Sequence, residues 1–116
     1  MSRINDLPLA LRQSLIDRNA IKVISGLSNF DSSLVEKISR SASLGGADFI
    51  DVACDPLLVK LAIDVSDLPV CVSSVEPELF LPAVDSGATM IEIGNFDSFY
   101  PQGRFFDAAE VLSLTK

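Results

Sequence analysis

Three charged residues fall inside runs that are otherwise apolar. Lys22 lies in Ile21–Gly26, Asp51 in Asp48–Cys54 and Glu92 in Thr89–Gly94. A charge in such a run needs a partner, because burying it alone is costly. Each run reads as a strand, and alternation along a strand assigns two faces. Ile50, Val52 and Cys54 share one face, and Phe49, Asp51 and Ala53 the other. In the fourth run Ile91 and Ile93 oppose Met90, Glu92 and Gly94. The uniformly apolar faces belong under helices. Asp51 and Glu92 are therefore expected to point together into an interior, at equivalent heights, with Lys22 one layer nearer the bottom and Ser73 on the same face. Gly26, Ala53 and Gly94 leave room above them.

Two carboxylates and a lysine in one interior can form an acid–base constellation. Burial and like charge raise one carboxylate pKa, while the ammonium lowers the other. Asp51 and Glu92 are then candidate acid and base, with Lys22 as electrostatic partner. The same residues also fit an internal ion-pair network that only fills the interior, and the sequence leaves both readings open.

Composition narrows the chemistry. The chain has no histidine, so no Ser-His-Asp triad, His-ligated zinc or imidazole shuttle can form. Its two cysteines, Cys54 and Cys71, sit in apolar runs without paired metal spacing and read as buried thiols in a reducing compartment. No pattern assigns a metal or any other cofactor. A net charge of −7 argues against nucleic acid or an anionic membrane as partner. Mean hydropathy of +0.38 supplies a core, yet no apolar run approaches the ~18 residues of a membrane span. The first 19 residues lack the pattern of a signal or transit peptide.

The elements that must position these residues follow a strand–helix alternation. Four Val- and Ile-rich runs, Ile21–Gly26, Asp48–Cys54, Val70–Ser74 and Thr89–Gly94, are separated by helical periodicity, the pattern of a parallel sheet. Ser33 with Glu36 has the spacing of a capping box, and so does Asp107 with Glu110. Asp55–Pro56 and Glu76–Pro77 mark two further helix starts. Capping also accounts for Asp55 and Glu76 more simply than chemistry does. Gly45–Gly46 and Gly87 mark helix ends. An extra helix, about Leu9 to Arg18, precedes the first strand and could close the bottom of a barrel.

An internal repeat links Gly46-Ala47-Asp48-Phe49-Ile50-Asp51-Val52-Ala53 to Gly87-Ala88-Thr89-Met90-Ile91-Glu92-Ile93-Gly94. Asn29-Phe30-Asp31-Ser32 recurs likewise as Asn95-Phe96-Asp97-Ser98. With no G-x-G-x-x-G and no P-loop, an open doubly wound sheet lacks its usual markers. The expected fold is α/β: a parallel (β/α)4 half of a TIM-type (β/α)8 barrel, residues 1–116 forming one domain with an amino-terminal extra helix. The segment from Asn95 to Phe106 reads as a long aromatic loop at the carboxyl-terminal mouth, where barrel sites are built. Asn29, Asp31, Ser73, Ser74, Asn95 and Asp97 are the ligand-binding candidates there. No helix is expected between Asp97 and Asp107, so capping does not explain Asp97.

The motifs Val72-Ser73-Ser74-Val75-Glu76-Pro77 and Glu92-Ile93-Gly94-Asn95-Phe96-Asp97-Ser98-Phe99-Tyr100, with Gly103, carry a resemblance. The chain resembles the uncharacterised family of cyanobacteria and algal plastids known as hypothetical chloroplast reading frame twenty-three, from about Ile21 onward. The resemblance implies a barrel similar to those with phosphate-type ligands, in a cyanobacterial cytoplasm or chloroplast stroma, with no activity to carry over. The expected partner is a small, phosphorylated metabolite; the alternative is a non-catalytic regulatory or assembly role. A whole barrel needs ~250 residues, so the chain reads as a fragment or as a unit that pairs. Half a barrel leaves two edges unpaired and an inner face of Ile24, Phe49, Val75 and Met90. If stable alone, the chain is expected to form a homodimer in which the first strand of each copy meets the fourth of the other.

Overall fold

The β-branched runs do extend as strands. A computed structural model describes residues 4–94 and 96–116. Its strands are β1 (Lys22–Gly26), β2 (Phe49–Ala53), β3 (Val70–Ser74) and β4 (Met90–Ile93). All neighbours pair in parallel, in the order β1-β2-β3-β4. A sheet that adds strands in sequence order never reverses direction, whereas a doubly wound sheet must. The architecture fits a (β/α)4 half-barrel.

Helices α2 (Ser32–Leu44), α3 (Pro56–Ser66), α4 (Phe80–Asp85) and α5 (Ala108–Thr115) follow the four strands in turn. The outward faces of β2 and β3, Ile50, Val52, Val70 and Val72, are fully buried against Val35, Leu58, Val59 and Ala62 from the helices. That apolar layer explains why the charged residues were driven to the opposite face. Helix α1 (Leu9–Ile16) packs against the inner side instead, Leu11 burying itself on Phe49 and Cys71. Among the described residues, no helix is long and apolar enough to cross a membrane.

Helix starts follow local chemistry, with two departures from the sequence reading. Asp55 accepts from the amides of Leu57 and Leu58 ahead of Pro56, and Asp107 with Glu110 forms a complete capping box. The Ser33–Glu36 box does not form. Asp31 caps α2 by accepting from the Leu34 amide at 3.1 Å, and Glu36 pairs with Arg40 one turn on. A carboxylate is the stronger acceptor for the partial positive charge of a helix start. Glu76 makes no cap bond either. The Ser74 hydroxyl accepts the Glu76 amide at 2.9 Å, and a 3-10 turn at Pro77–Leu79 leads into α4. The aromatic segment also differs from the expected loop, because Phe96–Gln102 is 3-10 helical with Asp97 in its first turn.

These caps separate two similar-looking residues. Asp55→Ala removes two bonds to backbone amides and is expected to lower unfolding free energy by about 1 kcal/mol. Glu76→Ala removes none and is expected to stay within about 0.5 kcal/mol of wild type. Denaturant titration of both variants measures the contrast.

Candidate functional site

Strand alternation puts Lys22, Asp51, Ser73 and Glu92 on the concave face, as the sequence pattern requires. Asp51 is 0% exposed, although it is an acid on a central strand. Ser73, one strand over, donates its hydroxyl to both Asp51 oxygens at 2.9 and 2.7 Å. Lys22 Nζ lies 3.6 Å from Asp51 Oδ2 and donates to Glu92 Oε2 at 2.7 Å. One ammonium therefore bridges two carboxylates. The side chains of Lys22 and Glu92 remain 25% and 35% exposed on the open lumen side.

The bridge also spans the sheet from edge to edge. Lys22 and Glu92 sit on the two edge strands, which three spacings of about 4.8 Å would hold about 14 Å apart in a flat sheet with parallel side chains. Contact at 2.7 Å needs the inward side chains to converge. The equal heights inferred from the repeat do not hold. Register sets Asp51 beside Cys71 and Met90, but Glu92 beside Ser73. Glu92 thus stands one inward-facing position closer to the carboxyl ends, because residues equivalent in the repeat are two strands apart in a staggered sheet. Lys22 pairs with Phe49, one layer below Asp51, and reaches upward along its stem. Gly94 supplies the room above. A Cβ there would come within 2.8 Å of the Glu92 carboxylate.

Burial sets the protonation of the cluster. It raises the Asp51 pKa, outweighing the Ser73 hydrogen bond and the Lys22 charge, which pull it down. For Lys22, burial pulls downward, but the Glu92 hydrogen bond and the charges of Asp51 and Glu92 outweigh it and hold the ammonium above its usual range. Cys71 completes the inner face. Burial, helped by the Asp51 charge, pushes its thiol up to about 12. The donor atoms of Asp51, Cys71 and Glu92 lie within 4.8 Å of one another, close enough to share a metal ion. The Lys22 ammonium already lies against both carboxylates, so a metal ion would have to displace it. Cys71 was missed as a neighbour of the carboxylates, although alternation from Ser73 places it on their face.

At the carboxyl ends of the strands, a cleft of about 210 Å³ is bordered by Ser28, Phe30, Cys54, Ser73, Ser74, Glu76 and Phe99, among others. The two proposed mouth segments follow β1 and β4, and parallel pairing brings both to this end. Individual candidates fare differently. Asn29 donates to Ser25 Oγ at 3.1 Å and accepts from the Asp31 amide at 3.2 Å, and Asp31 caps α2. Local turn chemistry therefore engages both, and Ser28 and Phe30 face the cleft in their place. Ser74 borders it while holding the Glu76 amide. Asp97 is exposed on its 3-10 turn, and Asn95 lies outside the described residues. Among the described residues of the aromatic segment, Phe99 alone borders the cleft. Phe96 and Phe99 pack on Phe106 with ring centroids 4.9 and 5.6 Å apart. Arg104 lies 3.9 Å over Phe106 and pairs with Glu110 at 2.7 Å, tying the segment to α5.

A parallel, sequentially ordered sheet with an ion-paired concave face and its loops gathered at one end defines an α/β protein of half-barrel type. Within that class the chain belongs to the family described as "Protein of unknown function (DUF561)", which matches residues 5–116. It is 52% identical over 103 residues to "Uncharacterized protein ycf23" of Cyanophora paradoxa, covering 88% of this chain and 42% of that protein. The like-named protein of Antithamnion sp. is 40% identical over 106 residues, 91% of this chain and 38% of the relative. That of Cyanidium caldarium is 35% identical over 102 residues, 88% and 41% respectively. The chain thus spans roughly two fifths of the length of the curated relatives it matches.

Removing the ammonium isolates a buried charge. Lys22→Met is expected to cost about 3 kcal/mol at pH 7, the low end for breaking a buried pair, because Lys22 is partly open. The sign of the pH response follows from Asp51. A carboxyl whose folded pKa is raised loses stability as pH climbs from its unfolded value of 3.8 through the folded value, and regains it on acidification. The Lys22→Met penalty should accordingly shrink between pH 7 and pH 4, measured by denaturant unfolding. A penalty independent of pH contradicts the assignment of Lys22 as Asp51's counter-ion.

Proposed function

We propose that this chain is the amino-terminal half of a TIM-type barrel protein that binds and acts on a small, phosphorylated metabolite by proton transfer on its concave face. The observation that carries the reading is the single Lys22 ammonium bridging Asp51 and Glu92, with one carboxylate sealed and the other open to the lumen. Glu92 is the base that meets the substrate. Asp51, raised by burial, holds a proton at higher pH than an ordinary aspartate and acts as the acid behind Lys22. Lys22 stabilises negative charge as it develops on the substrate.

No lysine or arginine borders the mouth cleft among the described residues. The phosphate grip is therefore assigned to the rest of the protein, since barrels commonly bind phosphate through their later units and the relatives have length to spare. That the relatives come from algae supports a chloroplast stroma, or a cyanobacterial cytoplasm, as the compartment. The second reading, a non-catalytic regulatory or assembly protein, draws support from the complete burial and pairing of Asp51, which a purely structural network would also show.

Solvent-deuterium wash-in separates the two. The full-length protein, incubated in D₂O with triose to hexose phosphates, should exchange a carbon-bound proton of one of them, read by NMR. Glu92→Gln and Asp51→Asn are each expected to slow exchange by about 10² or more, while Glu92→Gln still shifts its melting temperature with the ligand. Absence of exchange with every member of the panel would favour the non-catalytic reading.

A further inference from the structure

Asp51 is cast as an acid, yet none of its surface is exposed. Further units closing a barrel over the concave face would add cover, not remove it. A proton held there must pass through a neighbour before it meets a substrate. Among the described residues two polar side chains bond to the carboxylate, the Lys22 ammonium at 3.6 Å and the Ser73 hydroxyl at 2.7 and 2.9 Å. An ammonium has three donor hydrogens and no lone pair, so it steadies a charge without being able to receive a proton. A hydroxyl does both, accepting on a lone pair while donating its own hydrogen.

Ser73 also lies on the way out. Though only 1% exposed, it borders the mouth cleft, which Lys22, Asp51 and Glu92 do not. Register sets it beside Glu92 on β4, so a substrate oxygen over Ser73 lies next to the base. We propose that Ser73 is a proton relay, taking the proton of Asp51 on one side and giving its own to a substrate oxygen in the mouth cleft on the other. The relay rests on the proton-transfer reading above and supplies the link between a sealed acid and its substrate. It also narrows the substrate to a carbonyl compound with a hydrogen on the neighbouring carbon. With no lysine or arginine at the cleft among the described residues, the end that reacts is the uncharged one.

The step balances within the cluster. Glu92 takes the hydrogen of the carbon beside the carbonyl, and the C–H electron pair becomes a carbon–carbon double bond. The carbonyl π pair takes the Ser73 proton, and the Asp51 proton replaces it on the Ser73 oxygen. A neutral enol, a protonated Glu92 and an Asp51 carboxylate result, and reversal returns every proton. One negative charge has moved from Glu92 to Asp51. Lys22 touches both, at 2.7 and 3.6 Å, so the same ammonium balances the charge before and after.

The test uses the full-length protein and the sugar phosphate whose carbon-bound hydrogen it exchanges. Ser73→Ala should slow exchange by about 10² or more, while the ligand still shifts its melting temperature. Ser73→Thr keeps the hydroxyl and should recover most of the rate. Added to Asp51→Asn, Ser73→Ala should cost little more, because both cut one path; a serine with a separate structural role would add its own loss. In case Ser73→Ala fails to fold, the wild type provides a second measure. Its rate of wash-out from carbon-deuterated substrate, followed across H₂O–D₂O mixtures, should fall along a bowed line, as two protons moving together require. A straight line, a Ser73→Ala variant as fast as wild type, or fully additive losses overturn the relay and leave the acid and base assignments standing. Absence of exchange by the wild type overturns both.

Discussion

The concave face is organised around one ammonium held between two carboxylates. Lys22 sits low on β1, yet its Nζ reaches Asp51 on β2 and Glu92 on β4, so three of the four strands meet through one side chain. That contact requires the inward side chains to lean toward one another across the sheet, while helices cover its opposite side. It also settles where each class of residue goes. Branched apolar side chains fill the outer layer against α2, α3 and α4, while the charges occupy an inner layer where each finds an opposite. Asp51 tolerates full burial because Ser73 and Lys22 together replace the water it gives up.

This arrangement makes the inner face electrically lopsided. Two carboxylates share one lysine, so a cluster with every group ionised carries an excess negative charge. Burial is the main reason the Asp51 pKa is raised, and the neighbouring Glu92 charge adds to it against the downward pull of Ser73 and Lys22. Such a cluster can take up or release a proton with little rearrangement, since Ser73 can hydrogen-bond either form of the carboxyl by turning its hydroxyl.

Much of this was legible in the sequence because it depends on period-two alternation. The faces of β2 and β4, and hence the meeting of Lys22, Asp51 and Glu92, follow from side chains pointing alternately up and down. The stagger between strands is a different matter. The repeat equates Asp51 with Glu92, but register, which no single strand encodes, sets them a level apart. Polar loop residues were harder still. Asn29 and Asp31 look like ligand groups and are engaged by a turn and a cap, because short polar side chains bond their nearest backbone first. Glu76 reads as a cap and borders the cleft, since Ser74 already holds the amide it would have taken. Neither substitution of roles leaves a trace in spacing.

Gly94 ties the length of one side chain to the absence of another. Its missing Cβ is the space into which the Glu92 carboxylate folds back on its way to Lys22. A methyl group at 94 would press on the far end of a flexible side chain, which can swing aside at little cost to the fold. What it would give up is the angle from which Glu92 meets Lys22, so a larger residue at 94 would loosen the bridge before it strained the sheet.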